Sequence, residues 1–306
     1  MNRRSASHSA AGIVARGCLM GAADIVPGVS GGTMALITGI YSRLLEALGH
    51  IPEAVLVLIR ERRPLEAFRR MDGGFLLLLL AGVAVSVIGL AHGIGYLLTH
   101  HELLVRAFFF GLVLGASVHV GRQVPRWSRV ALAALIAGTL CAWGLGLTTP
   151  VAPTLTLPLA FGAGFVAISA MILPGISGSF LLLLLGVYEP VLAAVRTLDL
   201  PVLAAFSLGC ATGLVLMARA VAAMLRRFPG ATLAMLTGFM LGSLAHLWPW
   251  RVLSEAETTY HNLAPLNYAQ STGEAHQLAV ALPALVCGVL VVVVLERYAG
   301  GRLADQ

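Results

Sequence analysis

Apolar residues fill the chain in long blocks, most of them unbroken and two of them broken by the same device. Residues 75–98, 104–120, 130–147, 201–224, 231–248 and 278–296 each read as one apolar helix, and about 20 such residues cross a bilayer core. The block at 12–23 would extend only about 18 Å as a helix. It stops at Asp24-Ile25-Val26-Pro27-Gly28-Val29-Ser30-Gly31-Gly32-Thr33, and a second apolar helix over 33–49 follows. Residues 157–172 stop in the same way at Leu173-Pro174-Gly175-Ile176-Ser177-Gly178-Ser179, and 180–198 follow. Proline removes a backbone donor, and glycine permits angles a helix forbids. Irregular backbone at membrane depth is tolerated where protein buries it or where it lines a wet cavity. The two breaks therefore predict re-entrant helical hairpins over 12–49 and 157–198.

The breaks are related to each other. Setting Pro27 on Pro174 makes Pro, Gly, Ser, Gly, Leu, Gly and Tyr coincide, ending at Gly39-Ile40-Tyr41 and Gly186-Val187-Tyr188. A second echo sets Phe110-Gly111-Leu112-Val113-Leu114-Gly115 against Thr237-Gly238-Phe239-Met240-Leu241-Gly242. Its shorter offset is accounted for by a basic loop that only the first half carries. The expectation is an all-α polytopic membrane protein built from two repeats, residues 1–147 and 148–306, each a hairpin plus three transmembrane helices. Three is odd, so the second repeat should be inverted. Paired breaks of this kind point to a binding site at the repeat interface.

Charge sets the orientation. Arg3, Arg4 and Arg16 flank the first hairpin, and Arg60, Arg62, Arg63, Arg69 and Arg70 follow it. Arg122, Arg126, Arg129, Arg226, Arg227, Arg297 and Arg302 mark further ends, and positive ends belong inside. Both termini are then cytoplasmic. The uncharged loop 148–156 and the acidic loop 249–277 are external, and the second hairpin opens outward. No cleavable signal is expected after the polar start of the chain, because the apolar stretch runs straight into the first motif.

Composition agrees with a membrane protein: 58% of the 306 residues are hydrophobic, 11% are charged, and mean hydropathy is +0.89. Soluble domains carry roughly 25% charged residues. The net charge of +6 fits membrane-edge arginines and not a nucleic-acid surface. All 20 cations are arginine, which excludes a P-loop lysine or a pyridoxal Schiff base. Cys18, Cys141, Cys210 and Cys287 are dispersed through apolar segments and read as small buried hydrophobes. The nine histidines are scattered, and no metal site is expected.

At each break a helix restarts, near Thr33 and near Ser179. A restarting helix offers unpaired N–H groups and about half a positive charge. An anion satisfies both. Ser30, Thr33, Ser177 and Ser179 would add hydroxyl donors, so Pro27, Gly28, Ser30, Gly31, Gly32 and Thr33, with Pro174, Gly175, Ser177, Gly178 and Ser179, form the candidate anion cradle. The plainer reading is a tight turn whose serines cap their own backbone. Asp24 is the acid of the first motif, matched by Met171 in the second. It is the candidate for a coupling proton or cation, or else a helix cap. Tyr41, Tyr188, Arg43 and Glu46 are secondary candidates, with Arg43 and Glu46 spaced to pair with each other. No nucleophile elbow, zinc helix or dinucleotide turn is present, so an enzyme is not expected.

These motifs resemble the bacterial undecaprenyl-phosphate transporter family, over nearly the whole chain and including Gly238–Gly242 and Trp248-Pro249-Trp250. The resemblance implies a flippase in the cytoplasmic membrane. It would return the lipid phosphate from the outer to the inner leaflet for cell-wall polymer synthesis. The expected partners are that lipid and the bilayer, with no cofactor beyond a coupling ion, proton or sodium, and no nucleic acid. Two other readings remain: an ion-coupled carrier for a small soluble anion, and a polyprenyl-diphosphate phosphatase.

Overall fold

A computed structural model describes residues 9–25, 30–145, 154–253, 260–273 and 277–299. The first hairpin holds α1 (Ala10–Ile25), α2 (Gly31–Ile37) and α3 (Tyr41–Gly49). The expected continuous helix over 33–49 is instead broken. Gly39 has φ +73°, and the Ile40 N–H donates to the Ala35 carbonyl at 3.0 Å, closing α2 with a glycine in the left-handed region. The basic loop folds as α4 (Ile51–Leu56), one π-helical turn (Val57–Glu61) and α5 (Pro64–Arg70). Then come α6 (Gly73–His100), α7 (Glu102–Arg122) and α8 (Arg129–Leu145).

The second hairpin holds α9 (Leu157–Ile172), α10 (Gly178–Leu184) and α11 (Tyr188–Thr197). Its returning limb is broken at the matching glycine, Gly186, with φ +66°. α10 and α11 meet at 104°. α12 (Leu200–Arg227) and α13 (Pro229–Leu247) follow. The loop 249–277, read above as acidic and external, carries secondary structure among its described residues. It contains β1 (Arg251–Leu253) paired antiparallel with β2 (Tyr260–Asn262), then α14 (Pro265–Thr272). α15 (Leu278–Ala299) closes the described chain.

Five described helices are long and apolar enough to cross a membrane (α6, α7, α12, α13 and α15), or six if the bent α10–α11 pair counts as one span. The protein is an all-α polytopic membrane protein. Leu80, Ile88, Val118, Leu208 and Leu290 are exposed on these helices, as side chains facing lipid should be. Buried side chains centre on Tyr41, Leu36, Ile40, Val113 and Met240, in one cluster to which the first hairpin, α7 and α13 all contribute.

The main helix packing has the same form in both halves. α1 lies on α6 and α9 lies on α12; α15 lies on α7 and α8 lies on α13. The last span of each half thus packs on the other half. Each pair closes on reciprocal glycines. A Cβ on Gly17 would strike the Leu79 carbonyl, and one on Gly82 the Val14 carbonyl. Gly164 and Gly209, Gly111 and Gly288, and Gly138 and Gly238 do the same for the other three pairs. Lipid tails are as apolar as leucine, so such close backbone approach is what holds membrane helices together.

Candidate functional site

The two motifs meet, and the sequence explains how. In the second, α9 must stop at Leu173, because the residue before a proline avoids helical angles; Leu173 has ψ 125°. Pro174 and Gly175 then occupy the middle of a turn in which the Ile176 N–H donates to the Leu173 carbonyl at 3.4 Å. With φ +85° at Gly175, this is a type II turn, proline and glycine each where that turn favours them. A Cβ on Gly175 would lie 2.8 Å from the Met240 Cα, so the turn also rests against the α13 backbone.

Stopping α9 orphans its last carbonyls, and the first motif satisfies them. The Ser30 hydroxyl donates to the Met171 carbonyl at 3.1 Å while accepting the Gly32 N–H at 3.1 Å as the N-cap of α2. The Tyr41 hydroxyl donates to the Ile172 carbonyl at 3.0 Å. The Gly175 N–H donates to the Thr33 hydroxyl at 3.1 Å. Ser30, Thr33 and Tyr41 are buried. Gly32 lets the strands of the junction touch: a Cβ there would sit 2.8 Å from the Ile172 carbonyl.

Pro27 and Gly28 lie outside the described residues. Around them, Asp24 accepts the Gly31 N–H at 2.7 Å, so its carboxylate stands at the N-terminus of α2, where an anion was expected. Asp24 thus holds the first N–H of α2 in a part-buried bond, beside the N-cap Ser30. Arg16 is not merely a flanking charge, since its Nε donates to the Thr38 carbonyl at 3.2 Å at the other end of α2.

The second motif's hydroxyls are arranged otherwise. Ser177 flanks α10 without capping it, and its hydroxyl lies 3.0 Å from that of the exposed Ser179. Gly178 is buried against α9. Gly175, Ile176, Ser177 and Phe180 line one side of a narrow open cleft of about 10 Å³, room for about one water; α8 and α13 supply the rest, including Ser243 and His246. The His246 Nε2 lies 2.9 Å from the Ala142 carbonyl, its ring is 5.3 Å from that of Phe180, and Arg251 donates to its carbonyl at 3.1 Å. Sequence reasoning missed Ser243 and His246, which lie outside either motif. The signal available was their position between Gly242 and Trp248, directly after the second echo.

The secondary candidates do not gather at the cleft. Arg43 pairs with Asp72 and not with Glu46: its Nε and Nη2 lie 2.6 and 3.1 Å from the carboxylate oxygens, and it stacks 4.3 Å over Phe75. Glu46 is exposed. Tyr188, the counterpart of Tyr41, is half-buried in a separate cluster with Ala163, Ala167 and Leu182.

A polytopic helical membrane protein whose two broken hairpins interlock beside an open cleft has the build of a transporter. Comparison with known proteins gives the family: residues 20–264 match the undecaprenyl phosphate translocase-like family, and the chain belongs to it. It is 41% identical over 293 residues to a polyprenyl-phosphate transporter of Vibrio cholerae, covering 93% of this chain and 95% of that one. It is 32% identical over 255 residues to a polyprenyl-phosphate transporter of Staphylococcus aureus, covering 77% and 85%. No solved structure matches the chain at a significant level.

Proposed function

We propose that the protein carries undecaprenyl phosphate from the outer to the inner leaflet of the bacterial cytoplasmic membrane, returning the lipid carrier for cell-wall polymer synthesis. The phosphate headgroup binds at the cleft beside the second motif, and the tail stays in lipid. The carrying observation is the division of labour at the junction. Ser30, Thr33 and Tyr41 are spent on the backbone of the second motif, while Ser177 and Ser179 keep hydroxyls at an open surface. The first motif is then the support and the second the contact. Family membership and the names of the two relatives support the same substrate class. Asp24, which already caps α2, is the candidate for coupling to a proton or sodium ion.

The reading is tested against hydrolysis. One charge-assisted hydrogen bond contributes about 1.5–3 kcal/mol, roughly ten- to a hundredfold in affinity. Ser177→Ala and Ser179→Ala should each weaken undecaprenyl phosphate binding within that range. No preparation should release phosphate from undecaprenyl diphosphate. Phosphate release by the wild type that vanishes with one serine would replace the transporter by a phosphatase.

A further inference from the structure

We infer that His246 recognises the headgroup as a phosphate monoester, by sharing one proton with it through Nδ1. The inference rests on the reading of the cleft as the headgroup site. A carbonyl oxygen only accepts, so the Nε2 that faces Ala142 carries the hydrogen. In the neutral ring Nδ1 is then the bare nitrogen, with no hydrogen bond to it among the described residues. Contact with Phe180 of the second motif holds the ring in a wall of the cleft that Ser177 also lines.

A bare Nδ1 is the wrong partner for a fully ionised phosphate and the right one for an acidic P–OH. A phosphate monoester has a second ionisation near pH 6, so it brings that proton or leaves it behind. Monoanionic ester with neutral imidazole, and dianionic ester with imidazolium, contain the same atoms and the same total charge. In one the P–OH donates to Nδ1; in the other Nδ1–H donates to the phosphate oxygen. A phosphodiester has no such proton to share, and most bilayer lipids are diesters or zwitterions. The groups packed on His246 do not oppose an anion. α8 presents the Ala142 carbonyl and Leu145, α10 presents Phe180, Ser177 precedes it, and β1 presents the Arg251 guanidinium.

The test uses two lipids with one tail, undecaprenyl phosphate and its methyl ester, on the purified full chain in nanodiscs. The wild type should bind the monoester at least tenfold more tightly. His246→Gln keeps an N–H for Ala142 and removes the titratable nitrogen. It should lose about tenfold on the monoester, nothing on the methyl ester, and so lose the preference. A variant that keeps the preference would overturn the inference while leaving the headgroup site standing. A wild type that binds neither lipid would remove the headgroup site and this inference together. A second measurement needs no variant. The ³¹P resonance of bound undecaprenyl phosphate should hold one position across the range where the free lipid titrates; a bound signal that titrates like the free lipid would also overturn it.

Discussion

At the scale of single residues, the junction is a problem in hydrogen-bond accounting. Breaking a helix inside a membrane leaves carbonyls with no water to turn to, and the cost of a buried unpaired group is about 1–3 kcal/mol. Tyr41→Phe removes the donor to Ile172 and nothing else, so it should destabilise the protein by about that amount, read as a lower thermal midpoint in detergent. Asp24 separates two roles. Asp24→Ala loses the bond to Gly31 and should cost about 0.5–2 kcal/mol. Asp24→Asn keeps an oxygen for Gly31 and loses the charge. It should fold like the wild type yet fail to move lipid if the carboxylate couples transport; normal transport by the Asn variant across pH would leave Asp24 as a cap alone. The Pro174-Gly175 turn was legible in the sequence because proline and glycine dictate local geometry. The consumption of Ser30 and Thr33 was not, because it depends on which carbonyls another segment, some 140 residues away, brings within reach. His246 was hidden for the same reason.

At the scale of elements, hydropathy reads long helices well, since each must bury its own backbone bonds in lipid. A break within a mostly apolar run leaves little hydropathy signal, which is why 33–49 and 180–198 read as single helices. The cue was Gly39 and Gly186, whose positive φ turns the chain. Helix pairing is carried by glycine in another way, through close approach, and one helix provides the contrast. Gly82 of α6 faces the α1 backbone, while Gly89 of the same helix has nothing within 4 Å of its would-be Cβ. Gly82→Ala should separate α1 from α6 and lower the thermal midpoint. Gly89→Ala should be neutral or stabilise by up to about 1 kcal/mol, since alanine is the better helix former. Equal effects at both positions would remove the close-approach account of the four helix pairs.

At the scale of the whole molecule, the repeat, its inversion and the direction of transport belong together. The matching helix pairs, with the last span of each half packed on the other, fit two related halves; inversion is the further step that charge placement predicts. In a cysteine-free background, a cysteine at Tyr260 should react with an impermeant reagent from outside. Reaction from the cytoplasm alone would reverse the assignment. The central claim is lipid movement by way of the cleft at the second motif. Its most direct test is leaflet exchange of labelled undecaprenyl phosphate in proteoliposomes, comparing wild type with the Ser177→Ala, Ser179→Ala double variant at matched protein content. The account predicts exchange by the wild type well above protein-free vesicles, and strongly reduced exchange by the double variant. Exchange by the wild type no faster than in protein-free vesicles, or undiminished by loss of both hydroxyls, would contradict it.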